Sequence, residues 1–137
     1  MSVVLILFLR GYTVMKNKVK RGDLYYAILD PIIGSEQGGT RPVLVVQNNI
    51  GNRFSPTTIV VAAITSRTDK TPLPTHVRLE CVPGLERNSL LLLEQIRTID
   101  RKRLKGYIGA LDEHLMAKVD QALSISMGLL FENSGQK

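Results

Sequence analysis

The stretch Gly34-Ser35-Glu36-Gln37-Gly38-Gly39-Thr40-Arg41-Pro42 runs directly into the apolar residues Val43-Leu44-Val45-Val46. Glycines at this density let the backbone come close to a ligand. Pro42 pushes Arg41 out of the helical region, so the arginine is expected to enter a strand extended. A guanidinium placed there is a planar, permanently charged fork that matches two oxygens of a phosphate. The same stretch also reads as a hairpin loop with an ordinary surface arginine. Polar groups at other strand ends extend the set: Thr65 and Ser66 close one apolar run, and Pro74-Thr75-His76 opens the next.

These residue types narrow the chemistry. A metal hydrolase needs clustered His, Asp and Glu at ligand spacing, and a triad hydrolase needs an activated Ser or Cys beside a histidine. His76 and His114 are widely separated and, with the single Cys81, offer neither, so no metal and no cofactor is expected. RNA cleavage needs less, because the nucleophile, the 2′-hydroxyl, already sits in the substrate. The protein must orient the attack, move a proton and stabilise charge on the phosphate. An arginine suits the last task, and a threonine hydroxyl can donate to the same oxygens.

A formal net charge of +6 favours a polyanionic partner. Its basic clusters are Lys16, Lys18, Lys20 and Arg21, then Arg101, Lys102, Arg103 and Lys105. One cysteine excludes an internal disulfide framework and fits the reducing cytoplasm. The apolar run Val3 to Leu9 lacks a basic leader and a cleavage pattern and is too short to cross a bilayer. Neither a signal peptide nor a membrane anchor is read there. The folded domain is expected to begin at Met15, with residues 1–14 an extension or a matter of start-site choice, and residues 15–137 a single domain.

The elements that must position these groups are mostly strands. Asp23 to Leu29, Pro42 to Asn48, Thr57 to Thr65, His76 to Glu80 and Ser89 to Ile99 are rich in β-branched and aliphatic residues between Gly, Pro, Asn and Ser. Ile59 to Ile64 and Leu90 to Leu93 are apolar on both faces and must be central. A helical turn is expected near Asp100 to Lys105. Asp112 caps a long C-terminal helix with Leu115, Val119, Leu123, Met127 and Leu130 on one face, and the chain frays after Phe131. Short strands without intervening long helices make this an α+β protein, mainly β: a small curled antiparallel barrel.

Taken in order, several segments resemble the MazF/PemK family of toxin endoribonucleases, in its Gram-positive branch. They are Lys20-Arg21-Gly22-Asp23, Gly34 to Pro42, Val46-Gln47-Asn48, Gly51 to Thr57, Ala62-Ala63-Ile64-Thr65, Leu73 to Val77 and Leu93 to Asp100. The resemblance covers Val19 to about Leu130. It implies a Src-homology-3-like barrel of the CcdB/MazF type with a long C-terminal helix. It also implies a metal-independent, sequence-specific mRNA interferase that cuts single-stranded RNA to a 2′,3′-cyclic phosphate and a 5′-hydroxyl. Arg41 matches the family's catalytic arginine and Thr65 its catalytic threonine. Ser35, Glu36 and Gln37 match the loop over the substrate. Thr75, His76 and Gln95 fall in segments expected to touch RNA, and Ser66 and Phe54 join them at the rim, Phe54 either stacking on a base or packing over the barrel mouth. Glu36 is the nearby carboxylate able to act as a base, with binding the preferred role. The implied partners are a MazE-like antitoxin with a disordered acidic tail and a second copy of the chain in a homodimer. The turn Cys81 to Arg87 departs from the family pattern, which is read as leaving the catalytic assignment untouched. The competing readings are a non-catalytic CcdB-like gyrase-binding toxin and a nucleic-acid-binding module.

Overall fold

The computed structural model describes residues 19–69 and 71–129. The expected extension 1–14, the Met15 start, Lys16, Lys18, Leu130 and the frayed end from Phe131 lie outside the described residues. Strands β1 (Asp23–Ile28) and β2 (Thr40–Val45) are joined by the glycine-rich loop, and β2 leads into a short helix α1 (Asn49–Phe54). Then come β3 (Thr58–Thr65), β4 (His76–Leu79), β5 (Ser89–Asp100), a 3-10 turn over Arg101–Arg103, β6 (Leu104–Ala110) and helix α2 (Glu113–Met127).

The six strands form one antiparallel sheet in the order β4-β5-β3-β2-β1-β6, curled into a half-barrel. Alternation along each strand sorts side chains onto two faces. Leu24, Leu44, Ala62, Ile64, Leu91 and Leu93 face α2 and pack with its Val119 and Ala122. Ala27, Val43, Val45, Val61, Ala63 and Ile99 fill the other, concave side. Apolar burial on both faces makes β3 the centre of the sheet, as its uninterrupted apolar run requires. Truncating one fully buried leucine such as Leu44 to alanine is worth about 2–5 kcal/mol.

Two elements were not anticipated from sequence, and one stripe is corrected. The β6 segment carries Gly106 and Gly109 and is largely exposed or half-buried, so it lacks strand patterning and exists through its pairing with β1. Helix α1 is six residues long with Gly51 inside it, and its start is set by the Asn48 side chain, which accepts from the Gly51 amide at 2.7 Å. On α2 the Asp112 cap is in place, its carboxylate accepting from Leu115 N–H at 2.9 Å. The stripe reads as core or interface, and Met127 is 61 % exposed and lies outside the core. Steps of four residues overshoot a helical turn, so twelve residues after Leu115 the stripe has rotated by about 120°. Val119 and Ala122 are buried in the contact, and Leu115, Met116 and Leu123 pack half-buried against the same core.

Candidate active site

The glycine-rich loop is tied at its neck by backbone and carboxylate. Leu29 N–H donates to the Gly39 carbonyl at 2.9 Å, and Gly39 N–H donates to Asp30 Oδ1 at 2.9 Å. At Gly38 a Cβ would stand 2.6 Å from that same Asp30 oxygen, and Gly39 adopts φ +75°. A side chain at the first position would displace the Asp30 carboxylate and the Ile32 side chain, and the second is strained for any residue but glycine. This turn aims the Gly38 carbonyl at Arg41, whose Nε donates to it at 2.7 Å.

The second hold on Arg41 comes from β3. Its Nη1 donates to the Ile64 carbonyl at 3.3 Å. Val43 pairs with Ala63 and Val45 with Val61, so the same register carried outward sets Pro42 across from Ile64 and Arg41 across from Thr65. Val46 N–H donates to the Val60 carbonyl at 3.1 Å. Bonded and non-bonded pairs alternate in an antiparallel ladder, so Pro42 and Ile64 occupy a bonded position. Proline has no N–H to give. The Ile64 carbonyl is therefore left over by the ladder, and the neighbouring guanidinium takes it.

Thr65 ends β3 and is buried, and its Oγ1 accepts from Arg67 N–H at 3.1 Å. With one lone pair used this way, its own hydroxyl proton remains available for donation. Ile64 and Thr65 share a peptide bond, so the carbonyl gripped by Arg41 is covalently attached to the threonine. The arginine and the threonine thus meet at one rim of the sheet.

The other candidate residues fall into three places. In the loop, Ser35 is exposed and Glu36 folds back so that its Oε1 accepts from Ile33 N–H at 2.8 Å. Gln37 N–H donates to Gln95 Oε1 at 3.4 Å, which brings the loop and β5 to one cleft of about 420 Å³ floored by Ala63 and Ile96. At the start of β4, Thr75 Oγ1 donates to Glu94 Oε1 at 2.7 Å and His76 Nε2 lies 3.0 Å from Glu94 Oε2. Leu73 N–H donates to His76 Nδ1 at 3.2 Å, so Nε2 carries the proton toward the carboxylate. Ser66 is exposed and lines a second cleft with Arg41, on the α2-facing side of β3. Phe54 stands apart, at the end of α1, 70 % exposed with the Arg53 guanidinium 5.4 Å from its ring centroid.

Glu94 is the residue sequence reasoning missed. The β3–β5 register jumps between Ala62, opposite Ile96, and Ala63, opposite Leu92, so Leu93 to Gln95 form a bulge in β5. Bulges re-aim side chains, and this one delivers Glu94 to Thr75 and His76 and Gln95 to the loop. Burial pushes the Glu94 carboxyl up, but hydrogen bonds from the Thr75 hydroxyl, its own backbone amide and His76 outweigh that and hold it below the ordinary glutamate range. Among the described residues, no group of three or more His, Cys, Asp or Glu is placed to hold a metal ion, and no helix is long and apolar enough to cross a membrane.

Comparison with known proteins places this geometry. A family model described as PemK-like, MazF-like toxin of type II toxin-antitoxin system matches residues 20–127. The Endoribonuclease EndoA of Bacillus subtilis (strain 168) is 61% identical over 113 residues, which cover 82% of this chain and 97% of that protein. Among solved structures, an endoribonuclease in complex with its cognate antitoxin from a mycobacterial species superposes with a TM-score of 0.67 at 26% identity, covering 82% of this chain and 98% of that one. MazF from Deinococcus radiodurans superposes with a TM-score of 0.69 at 26% identity, covering 80% and 96%. The glycine-rich loop, the arginine it presents and the threonine across from it thus lie in a chain that belongs to the PemK-like, MazF-like toxins of type II toxin-antitoxin systems, and like them it is an endoribonuclease.

Proposed function

We propose that this endoribonuclease cleaves single-stranded mRNA without a metal, using Arg41 and Thr65 as its catalytic residues, and leaves a 2′,3′-cyclic phosphate and a 5′-hydroxyl. The observation that carries this reading is the grip of Arg41 on the carbonyl next to Thr65. Two of its nitrogens hold the protein, at Gly38 and Ile64, which leaves Nη2 to face a phosphate as charge builds on its oxygens. A guanidinium already anchored spends no reorganisation at the moment of reaction. The Thr65 hydroxyl donates to a second phosphate oxygen. The 2′-hydroxyl gives up its proton and its oxygen bonds to the adjacent phosphorus, the P–O5′ bond breaks, and the leaving 5′-oxygen takes up a proton, so none is gained or lost overall.

Ser35, Glu36, Gln37 and Gln95 line the path on the concave side of the sheet, and Thr75 and His76 continue it along the start of β4. Ser66 borders Arg41, and Phe54 offers an exposed ring farther away. In this reading, residues 15–137 act as one domain in the cytoplasm, where mRNA is available. The chain works as a homodimer and is silenced by a MazE-like antitoxin. Structures of relatives with antitoxin, one mycobacterial and one a MazE–MazF pair from Deinococcus radiodurans, support that partner.

The test uses purified protein and a long single-stranded RNA in excess chelator. Defined fragments with cyclic-phosphate and 5′-hydroxyl ends are expected, and a DNA copy of the same sequence, lacking the 2′-hydroxyl, stays intact. Activity that appears only after a divalent metal is added, or fragments ending in a 3′-hydroxyl, would refute the proposed chemistry.

A further inference from the structure

Beyond Arg41 and Ser66, the cleft on the α2-facing side of β3 plays no part in the mechanism above. It measures about 240 Å³ and has Arg41, Thr40 and Ser66 on one wall and Leu85, Glu86 and Arg87 of the β4–β5 turn on the other. From sequence, this turn leaves the catalytic assignment untouched and is a place where partner affinity can shift. The structure brings it to the opposite side of the Arg41 pocket.

The turn is held in place with unusual closeness. Gly84 has φ +88°, and a Cβ there would lie 2.1 Å from the Ile108 carbonyl oxygen. A Cβ on Gly109 would lie 2.8 Å from the Pro83 carbonyl oxygen. Turn and β6 therefore touch backbone to backbone. Asn88 Oδ1 accepts from Cys81 N–H at 3.1 Å, closing the turn, and Ser89 Oγ donates to the Arg87 carbonyl at 2.9 Å, fixing the backbone of that arginine. Arg87 is exposed, and among the described residues no carboxylate pairs with its guanidinium. A free cation on a fixed backbone, sharing a cleft with hydroxyls and a second arginine, is suited to an anion with several oxygens.

The two clefts lie on opposite sides of the same strand end: Ala63 floors one and Ile64 lines the other. A strand of RNA leaving the first cleft crosses the rim at Arg41 and Thr65 and enters the second. We infer that the cleft between Arg41 and the β4–β5 turn seats a phosphodiester neighbouring the scissile one, with Arg87 as its cation and Glu86 limiting the affinity. This rests on the RNA-cleaving role of Arg41. It predicts a contact made equally in ground and transition states, which changes KM and leaves kcat alone.

The experiment measures cleavage of a short fluorogenic RNA by wild type, Arg87→Ala, Arg87→Lys and Glu86→Gln over a range of salt. Arg87→Ala is expected to raise KM by roughly tenfold with kcat within about twofold, and Arg87→Lys to recover part of the loss. The slope of log KM against log salt should flatten by about 0.7 in Arg87→Ala, the value for one lost phosphate contact on a single strand. Glu86→Gln should lower KM, the opposite sign, which mere loosening of the turn does not produce. A set of RNAs, each with one methylphosphonate, should contain one linkage whose replacement weakens wild type but not Arg87→Ala. Unchanged KM and salt slope in Arg87→Ala, or methylphosphonate penalties that persist at every linkage in that variant, overturn the inference. The catalytic reading is read separately from kcat of Arg41→Ala: a normal kcat there removes that reading whatever Arg87 does, whereas a silent Arg87 with a dead Arg41 variant removes only the second cleft.

Discussion

Arginines bind backbone carbonyls at two ends of this molecule, and the two ends use the same bond for different purposes. At the far end, Arg101 donates to the Asn52 carbonyl at 2.6 Å, and between the two ends Arg97, on the wall of the loop cleft, donates to the Leu29 carbonyl at 2.9 Å. Arg103 binds the carbonyls of Ile28 and Asp30. These carbonyls sit where β1 and α1 end and no ladder partner remains, and among the described residues the buried Nε of Arg101 has no partner. At the rim, Arg41 takes a carbonyl in the middle of a sheet, one that the ladder abandons because Pro42 has no N–H. Those arginines clamp the ends of β1 and α1, whereas Arg41 is held by two carbonyls with a nitrogen to spare over open clefts. A guanidinium on a carbonyl is thus no sign of catalysis by itself; the sign is what it leaves free. The comparison also divides the charge excess. The Arg101–Arg103 cluster, which from sequence favours a polyanionic partner, spends two of its guanidiniums on the fold.

Exchanging the two ends breaks this comparison most directly. Arg41→Ala should lower kcat by about 10²–10³-fold, the loss typical of removing one transition-state charge stabiliser. Its stability should also fall, by about 1–3 kcal/mol, because Ile64 is 1% exposed and its carbonyl loses a partner, so kcat is read on the folded fraction. Arg101→Ala should lose stability and keep its rate. Loss of the clamp leaves the Asn52 carbonyl unpaired and costs about 1–3 kcal/mol, read by urea denaturation, while kcat of the folded fraction stays at the wild-type value. If both variants lose stability and activity in proportion, the two ends do not differ in kind.

Pro42→Ala sharpens the same contrast at smaller amplitude. The new N–H stands opposite Ile64 at a bonded position of the ladder and competes with Arg41 Nη1 for that carbonyl. Stability should hold or rise by up to about 1 kcal/mol, the worth of one added hydrogen bond. Released from one anchor, Arg41 should lose roughly tenfold in kcat through misorientation. Replacing Pro42 with an α-hydroxy acid, which supplies an ester oxygen and no N–H, should restore the rate. If the ester variant is as slow as alanine, the proline ring rather than the missing donor is what matters.

Much of this was legible in the sequence because it depends on local pattern. Apolar runs marked β1 to β5, Asp112 marked the start of α2, and the loop glycines with Pro42 marked the extended arginine. What escaped depends on pairing at a distance. The β6 segment has no strand pattern of its own and becomes one against β1. Glu94 lies next to residues that were singled out, yet only the bulge opposite Ala62 and Ala63 turns it toward Thr75 and His76. The β4–β5 turn reaches the Arg41 cleft through contact of Gly84 with β6, itself the strand not foreseen.

Glu94 supplies the mildest test, and its sign is worked out from its two states. In the folded protein its carboxyl titrates lower than in the unfolded chain, because hydrogen bonds favouring the ion outweigh the burial that opposes it. The unfolded chain therefore binds the proton first as pH falls. This contribution to stability is fully present above the unfolded value of about 4.5 and is lost as pH drops through the lower folded value. Its side chain is 34% exposed, so water and salt screen the effect and a small amplitude is expected. Denaturation of wild type and Glu94→Gln from neutral pH to acid should give two curves that separate above pH 4.5 and converge below it, with wild type the more stable at neutral pH. At the far end of the sheet the corresponding cations hold neutral carbonyls, so Arg101→Ala should differ from wild type by a constant amount across the same range. Curves for Glu94→Gln that stay parallel to wild type would show that the Thr75–His76–Glu94 cluster holds the start of β4 by shape alone, with no share from the charge.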